Sequence, residues 1–359
     1  MHRVHNFSAG PAALPDEVLE IARKELMDYH GQGTSIMEQS HRGEAYTKVD
    51  NEAKERLNRI LDLDDQFHIM FLQGGASSQF MQVPFNFLKK DETADYINTG
   101  VWSKKAIKEA KLFGDVNESY NGEEEGFSRV PQNSELKLND QSRYVHFTSN
   151  NTIYGTQFSK EPNTNGVPLV CDASSDFISR PLESNKYGLI YAGAQKNLGP
   201  SGVTVVLVRK DFLKTISKNE IPTILDYRTH AERIFNTPPT FAVYLVNLVL
   251  KWVEEKGGIS HFQKLNTKKA GLLYSEIDKN AFYNGTANKD SRSIMNVTFR
   301  LPDESLEDRF IKEAAENDLL ALKGHRSAGG IRASIYNACK LESVEALVSF
   351  MNQFRNKYG

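Results

Sequence analysis

Among the lysines of this chain, Lys196 is the one that an apolar run delivers into a turn of small residues. The stretch Tyr187-Gly188-Leu189-Ile190-Tyr191-Ala192-Gly193-Ala194-Gln195-Lys196-Asn197-Leu198-Gly199-Pro200-Ser201-Gly202 reads as a buried strand, a glycine-rich turn and the approach to another apolar run. A lysine met alone is usually a solvated surface residue. One presented at the carboxyl end of a strand stands where open α/β sheets bind ligands. Desolvation there disfavours the ammonium form and favours attack of the amine on a carbonyl. A second signal is Asp172, which ends the run Val167-Pro168-Leu169-Val170-Cys171-Asp172. Such a carboxylate can cap a helix, ligate a metal or face a cationic cofactor nitrogen. None of the nine histidines falls into an HExxH-type pair, so a metal site has little support. The order strand-Asp, then strand-Lys, suits pyridoxal phosphate, in which Asp keeps the pyridine nitrogen protonated and Lys holds the aldehyde as an imine.

The third signal is Gly74-Gly75-Ala76-Ser77-Ser78, between an apolar run and a helical pattern. Small residues let backbone N–H groups approach a phosphate, and a helix N-terminus adds favourable partial charge. Most glycine-rich turns are only turns, so alone this is weak. It matches neither GxGxxG nor GxxxxGK(S/T), which argues against dinucleotide and P-loop nucleotide sites.

The elements that must position these residues are short β-branched and aromatic runs alternating with longer helical patterns. Candidate strands are His68–Leu72, Ala94–Asn98, Tyr144–Thr148, Val167–Asp172, Leu189–Ala192 and Val203–Val208. Several are continuous apolar runs, as expected of strands covered on both faces of a mostly parallel sheet. Helical spacing over Glu44–Leu61 places Val49, Ala53, Leu57 and Ile60/Leu61 on one face. A long helix follows Pro238-Pro239, carries Phe241, Leu245, Leu248 and Trp252, and stops at Gly257-Gly258. From about Ile259 the pattern is a helix, a β segment Ile294–Arg300, a helix Glu304–Asn317, a basic loop, Ile331–Ile335 and a last helix Glu342–Phe354.

At 359 residues, against about 100–200 per domain, two domains are expected. The expectation is an α/β fold, a large domain over 16–258 with a mostly parallel central sheet, and a smaller α+β domain over 259–359 joined by the turn-rich residues 1–15. Hydrophobic residues are 39% and charged residues 25%, which excludes wholesale disorder. With 44 Lys+Arg against 46 Asp+Glu, the net charge of −2 points to neither nucleic acid nor an anionic membrane. The apolar stretch Phe241–Leu250 is roughly half the length needed to span a bilayer. Met1–Asn6 lacks the apolar run of a signal peptide, and Cys171 and Cys339 cannot make a disulfide scaffold, so a cytoplasmic protein is expected.

Four segments resemble the phosphoserine aminotransferase family. They are Asn6-Phe7-Ser8-Ala9-Gly10-Pro11-Ala12, Gly193-Ala194-Gln195-Lys196-Asn197, Phe235-Asn236-Thr237-Pro238-Pro239-Thr240, and the long run from Gly324-His325-Arg326 through Ile331-Arg332-Ala333 to Ala338. The resemblance runs from the first to the last helix. It implies a fold-type I homodimer that uses pyridoxal 5'-phosphate and interconverts O-phosphoserine plus 2-oxoglutarate with 3-phosphohydroxypyruvate plus glutamate in serine biosynthesis. Carried over by position, Lys196 would be the Schiff-base lysine, Asp172 the pyridinium partner, Trp102 the ring that stacks on the cofactor, and Thr152 a donor near its phenolic oxygen. Without the resemblance, Trp102 reads as a core residue. Asn150-Asn151-Thr152 also matches a glycosylation acceptor, which a cytoplasmic chain would not use. Ala76, Ser77 and Gln195 would hold the phosphate, joined by Asn236 and Thr237 from the partner subunit, so that the two subunits share their active sites.

The implied substrates are dianionic, and guanidinium groups suit such anions through paired hydrogen bonds. The resemblance gives Arg332 the α-carboxylate, and gives His41, Arg42, His325 and Arg326 the distal phosphate or carboxylate, with His325 and Arg326 reaching over from the partner subunit. One departure stands out: some members carry an arginine where this chain has Ser77, which shifts distal anchoring toward Arg42, His325 and Arg326. The competing readings are a serine–glyoxylate type aminotransferase, a cysteine desulfurase, and a catalytically silent relative. The first two have no need of two His-Arg pairs, and intact Lys196 and Asp172 count against the third.

Overall fold

The computed structural model describes residues 3–216 and 220–359. Its centre is a seven-stranded sheet of β1 (Phe67–Leu72), β2 (Thr93–Asn98), β3 (Asp115–Asn121), β4 (Val145–Thr148), β5 (Leu169–Asp172), β6 (Tyr187–Gly193) and β7 (Thr204–Arg209), in the order β1-β7-β6-β5-β4-β2-β3. Only β7 runs against its neighbours β1 and β6. Every residue of β4, β5 and β6 is buried, which is why these strands read as unbroken apolar runs rather than alternating ones. The one strand of this sheet missing from the sequence reading is β3, Asp-Val-Asn-Glu-Ser-Tyr-Asn. It lies at the sheet edge and is mostly half-exposed, so it carries no apolar run to announce it.

Helices cover both faces. On one side α1 (Asp16–Glu25), α2 (Glu44–Leu61) and α5 (Thr240–Glu255) bury Val18, Val49, Leu57, Val246 and Val253 against Val205 and Leu207 of β7. On the other, α3 (Gly75–Phe87) and α4 (Val101–Ala110) bury Phe80, Val83, Phe87 and Ile107 against Val170, Tyr191 and Val206. The stop expected near Gly257-Gly258 is a joint between two helices: Gly257 adopts φ +101° and α6 (Gly258–Ile277) begins at once. Its first turn places Ile259 and Phe262 in the core of the large sheet, while Ala270, Leu273 and Ile277 enter a second core.

That second core lies between α6, α7 (Glu304–Glu316), α8 (Leu341–Tyr358) and an antiparallel sheet of β8 (Asn284–Gly285), β9 (Asn296–Arg300) and β10 (Ile331–Ser334). Phe299, Phe310, Phe350 and Phe354 form its aromatic centre. The chain start joins it: His5–Asn6 pairs with Leu319–Leu320 and Phe7 is fully buried there. From Phe7 the chain crosses back to the large sheet, where Ala12 donates its N–H to the carbonyl of Gln195.

Candidate active site

The carboxyl ends of β5 and β6 meet at a cavity of about 300 Å³ lined by Gly10, Ala76, Ser77, Trp102, Thr152, Asp172, Gln195, Lys196, His325 and Arg332, among others. Asp172 is the last residue of β5 and pairs in register with Tyr191 of β6, three residues before the turn that carries Gln195 and Lys196. The Lys196 Nζ donates to the Thr152 hydroxyl at 2.6 Å and lies 5.6 Å from the centre of the Trp102 ring. Burial pushes the Lys196 amine down to about 8, against the opposing attraction of Asp172. Burial raises the Asp172 carboxyl, opposed by the Lys196 charge and by the Ser174 N–H that it accepts at 3.0 Å.

Two glycines make the approach possible. Gly100 has φ +151°, and a Cβ there would sit 2.1 Å from the Asn151 amide. Its bareness lets the start of α4, with Trp102, close on the Asn151-Thr152 loop, which is tied by Asn151 Nδ2 donating to the Thr99 carbonyl at 2.7 Å. Gly74 has φ +93° and caps α3; a Cβ there would meet the Ser78 hydroxyl at 2.6 Å. That hydroxyl donates within the turn to the carbonyl of Gly75, so Ser78 builds the loop while Ala76 and Ser77 face the cavity. The first turn of α3 leaves its backbone N–H groups without helical acceptors, a ready cradle for an anion.

Arg332, on β10, comes from the small sheet, and its Nη1 donates to the Thr152 carbonyl at 3.3 Å. Its Nε is buried without a partner, as is the Trp102 indole N–H. Broader hollows exist, about 470 Å³ beside Gly257-Gly258 and about 780 Å³ beside Asp278 and Arg292. There the charged groups already pair, Arg59 with Glu254 and Arg292 with Asp278. What marks the Lys196 cavity is a lysine, a carboxylate and an arginine meeting in one place rather than size.

The expected site residues do not all converge within one chain. The resemblance implies a partner's His325, and this chain's own His325 also lines the cavity, beside Arg332. The turn Gly324–Gly330 explains this, because it leads directly into β10 and so travels with Arg332. Arg326 is exposed and outside the lining. Asn236 and Thr237 are also outside it; Asn236 Nδ2 donates to Gln73 and Gln73 donates to the Thr237 carbonyl. His41 and Arg42 lie in the turn before α2; Arg42 is exposed, and the His41 Nε2 is buried without a partner. The sequence reading did not single out Ala9, Gly10, Phe80, Ile153 or Ser174 as site residues. Ser174, two residues past a strand-ending Asp, and Phe80, one helical turn from Ala76, follow patterns that could have found them.

Comparison with known proteins decides the family. The Aminotransferase class-V model matches residues 4–347. A phosphoserine aminotransferase of Herpetosiphon aurantiacus is 52% identical over 359 residues, covering 99% of both chains. The chain belongs to the phosphoserine aminotransferase family. Among solved structures, the phosphoserine aminotransferase of Bacillus circulans subsp. alkalophilus superposes with a TM-score of 0.97 at 52% identity, over 99% of each chain. The pyridoxal-phosphate-bound phosphoserine aminotransferase of Trichomonas vaginalis gives 0.92 at 40% identity, over 98% of this chain and 100% of that one. Among the described residues of this family member, no helix is long and apolar enough to cross a membrane and no cluster of His, Cys, Asp and Glu could hold a metal ion.

Proposed function

We propose that this aminotransferase exchanges an amino group between O-phosphoserine and 2-oxoglutarate, giving 3-phosphohydroxypyruvate and glutamate reversibly, in the biosynthesis of L-serine. The observation that carries the reading is one cavity holding a desolvated lysine, a buried carboxylate and an arginine with no acidic partner. Its residues fit pyridoxal 5'-phosphate: the buried Trp102 N–H without a partner, the Ser77 hydroxyl, and the free N–H groups opening α3 are the donors that a phosphorylated aromatic aldehyde needs. When bound, that cofactor supplies an aldehyde for a covalent link to an amine and a ring that withdraws electrons from the substrate's α-carbon.

The chain's own groups do the rest. Lys196 Nζ would hold the aldehyde, and its amine, pushed down to about 8, is suited to take up and return the α-carbon proton of the substrate. Asp172 would hold a proton on the pyridine nitrogen; burial raises its carboxyl, while the Lys196 charge and the Ser174 N–H oppose that by favouring the ionised form. Thr152 orients Lys196 Nζ, and Ala76, Ser77 and Gln195 hold the phosphate. Arg332 binds the α-carboxylate shared by every amino acid, and His325 faces the distal anion. A desulfurase reading loses its nucleophile: Cys171 and Cys339 are buried, burial raises both thiols, and Cys339 reaches about 11.

We place the protein in the cytoplasm as a homodimer in which Asn236, Thr237, His41 and Arg42 complete the neighbouring site. We divide each chain into a large domain, 16–258, and a small one, 259–359 with 1–15. A coupled assay with phosphoserine, glutamate and unphosphorylated serine as donors tests the activity; turnover of serine equal to that of phosphoserine would overturn it. Mixing Lys196→Ala chains with Arg42→Ala chains should restore activity, since one site of each hybrid is intact. No recovery on mixing would refute the shared site.

A further inference from the structure

Two cationic side chains line the Lys196 cavity and two more stand near them, with no acid among the described residues to pair with them. Arg332 and His325 line it, Arg326 follows His325, and Lys105 stands on α4. Lys105 is three positions after Trp102, so the two share a helix face. Its Nζ lies 4.6 Å from the centre of the Trp102 ring, the same ring that borders the cavity and approaches Lys196. The adjacent Lys104 behaves as a surface lysine does and pairs with Glu123. Lys105 has no such partner among the described residues and is turned instead toward the indole.

The proximity has an electrostatic signature. His325 is harder to protonate than an ordinary histidine, first because it is partly buried and then because Arg332, Arg326 and Lys105 all repel its positive form. Lys105 thus acts on two residues that line the cavity, lying over the Trp102 ring and repelling the positive form of His325. Like charges held together in this way repel one another, and an incoming anion relieves that repulsion while gaining attraction from each of them.

We propose that Lys105 is a substrate-binding residue, a cation that attracts the distal anion of the substrate from the Trp102 side and favours phosphate over carboxylate. This rests on the transaminase reading above. The preference follows from charge: a phosphate monoester carries nearly two negative charges near neutral pH, a carboxylate one, and alanine has no distal charge at all. An exposed ammonium acts as a screened point charge, so its effect is smaller than that of a buried guanidinium and falls with salt.

The test is kcat/KM of the holoenzyme for phosphoserine, glutamate and alanine in wild type, Lys105→Gln and Lys105→Arg. Lys105→Gln should lose about tenfold on phosphoserine, about threefold on glutamate and nothing on alanine, mostly through KM. Lys105→Arg should restore most of the phosphoserine loss, and added salt should narrow the gap between wild type and Lys105→Gln. Calorimetric titration of phosphoserine into Lys196→Ala, with and without Lys105→Gln, reads the binding loss without turnover. Equal losses on all three substrates would show that Lys105 acts by supporting Trp102, and no loss on any would show an ordinary surface lysine; either overturns the proposal. Wild-type protein that ignores phosphoserine but transaminates other donors would instead overturn the function itself.

Discussion

Lys196, half-buried, and Lys269, fully buried, are both pushed down to about 8 by desolvation, yet they sit in opposite kinds of surroundings. Lys269, on α6, is sealed in the small core and donates to three backbone carbonyls, those of Ile335 at 2.9 Å, Tyr336 at 2.7 Å and Cys339 at 2.9 Å. All three ammonium hydrogens are satisfied, and no space remains for a reactant. Lys196 donates to one hydroxyl, keeps part of its surface open, faces a carboxylate in its own cavity, and borders an indole. A lowered amine basicity alone therefore does not mark a reactive lysine. Spare hydrogen-bonding capacity beside a cavity does.

The two lysines are nonetheless connected. The loop that Lys269 gathers includes Asn337, which donates its N–H to the side chain of Asn197, next to Lys196, while Tyr336 donates to the Ala9 carbonyl. The same loop follows directly from β10, the strand that carries Arg332. Lys269 thus fastens the β10 edge of the cavity, and Lys196 lies inside it.

Substitutions can separate the two roles, and the largest effect belongs to Lys196. Lys196→Ala should lower transamination by at least about 10⁴-fold and abolish covalent retention of pyridoxal phosphate, with an unchanged melting temperature. Borohydride reduction and peptide mapping check it; a labelled Lys269 would break the contrast. Lys269→Met should do the reverse. It strands three buried carbonyls and should cost about 3–5 kcal/mol in urea unfolding, while protein kept folded at low temperature still retains the cofactor.

Asp172→Asn sharpens the distinction, since Lys269 has no carboxylate counterpart. It keeps the shape and removes the charge, so kcat should fall about 100-fold or more while cofactor affinity changes less. Wild-type turnover in that variant would remove Asp172 from the chemistry. The smallest expected effect is that of Thr152→Val. The hydroxyl accepts a hydrogen bond from the Lys196 ammonium, so its loss favours the neutral amine and should move the titration below about 8, by roughly 0.5–1 unit. The pH dependence of Lys196 labelling by an amine-specific reagent in the apo chain reads this directly, the label entering as pH rises through the titration. An upward shift would mean that Thr152 does not favour the charged form.

Much of the central sheet was legible because buried strands must be apolar on both faces, and β1, β2 and β4–β7 lie within two residues of the runs seen in the sequence. The edge strand β3 escaped because half-exposed strands carry polar residues. Lys196 and Asp172 were visible as chemistry because each ends an apolar run. Lys269 was invisible: its neighbours Lys268, Leu272 and Leu273 give an ordinary helical pattern, and its three acceptors lie 66 to 70 residues further along.

The sequence by itself determined which residue types sit at strand ends, and so a lysine and an aspartate at the carboxyl edge of a sheet, because hydrophobic periodicity and turn chemistry are local. Only the tertiary structure decided which distant cations join them. Arg332 on the small sheet and His325 in the turn before it lie 136 and 129 residues beyond Lys196, and Lys105 lies over Trp102 from α4, 91 residues before it. No local pattern encodes such a meeting, since it depends on how two cores pack across α6 and the chain start. Packing likewise decided that one desolvated lysine faces a cavity and the other fills its own.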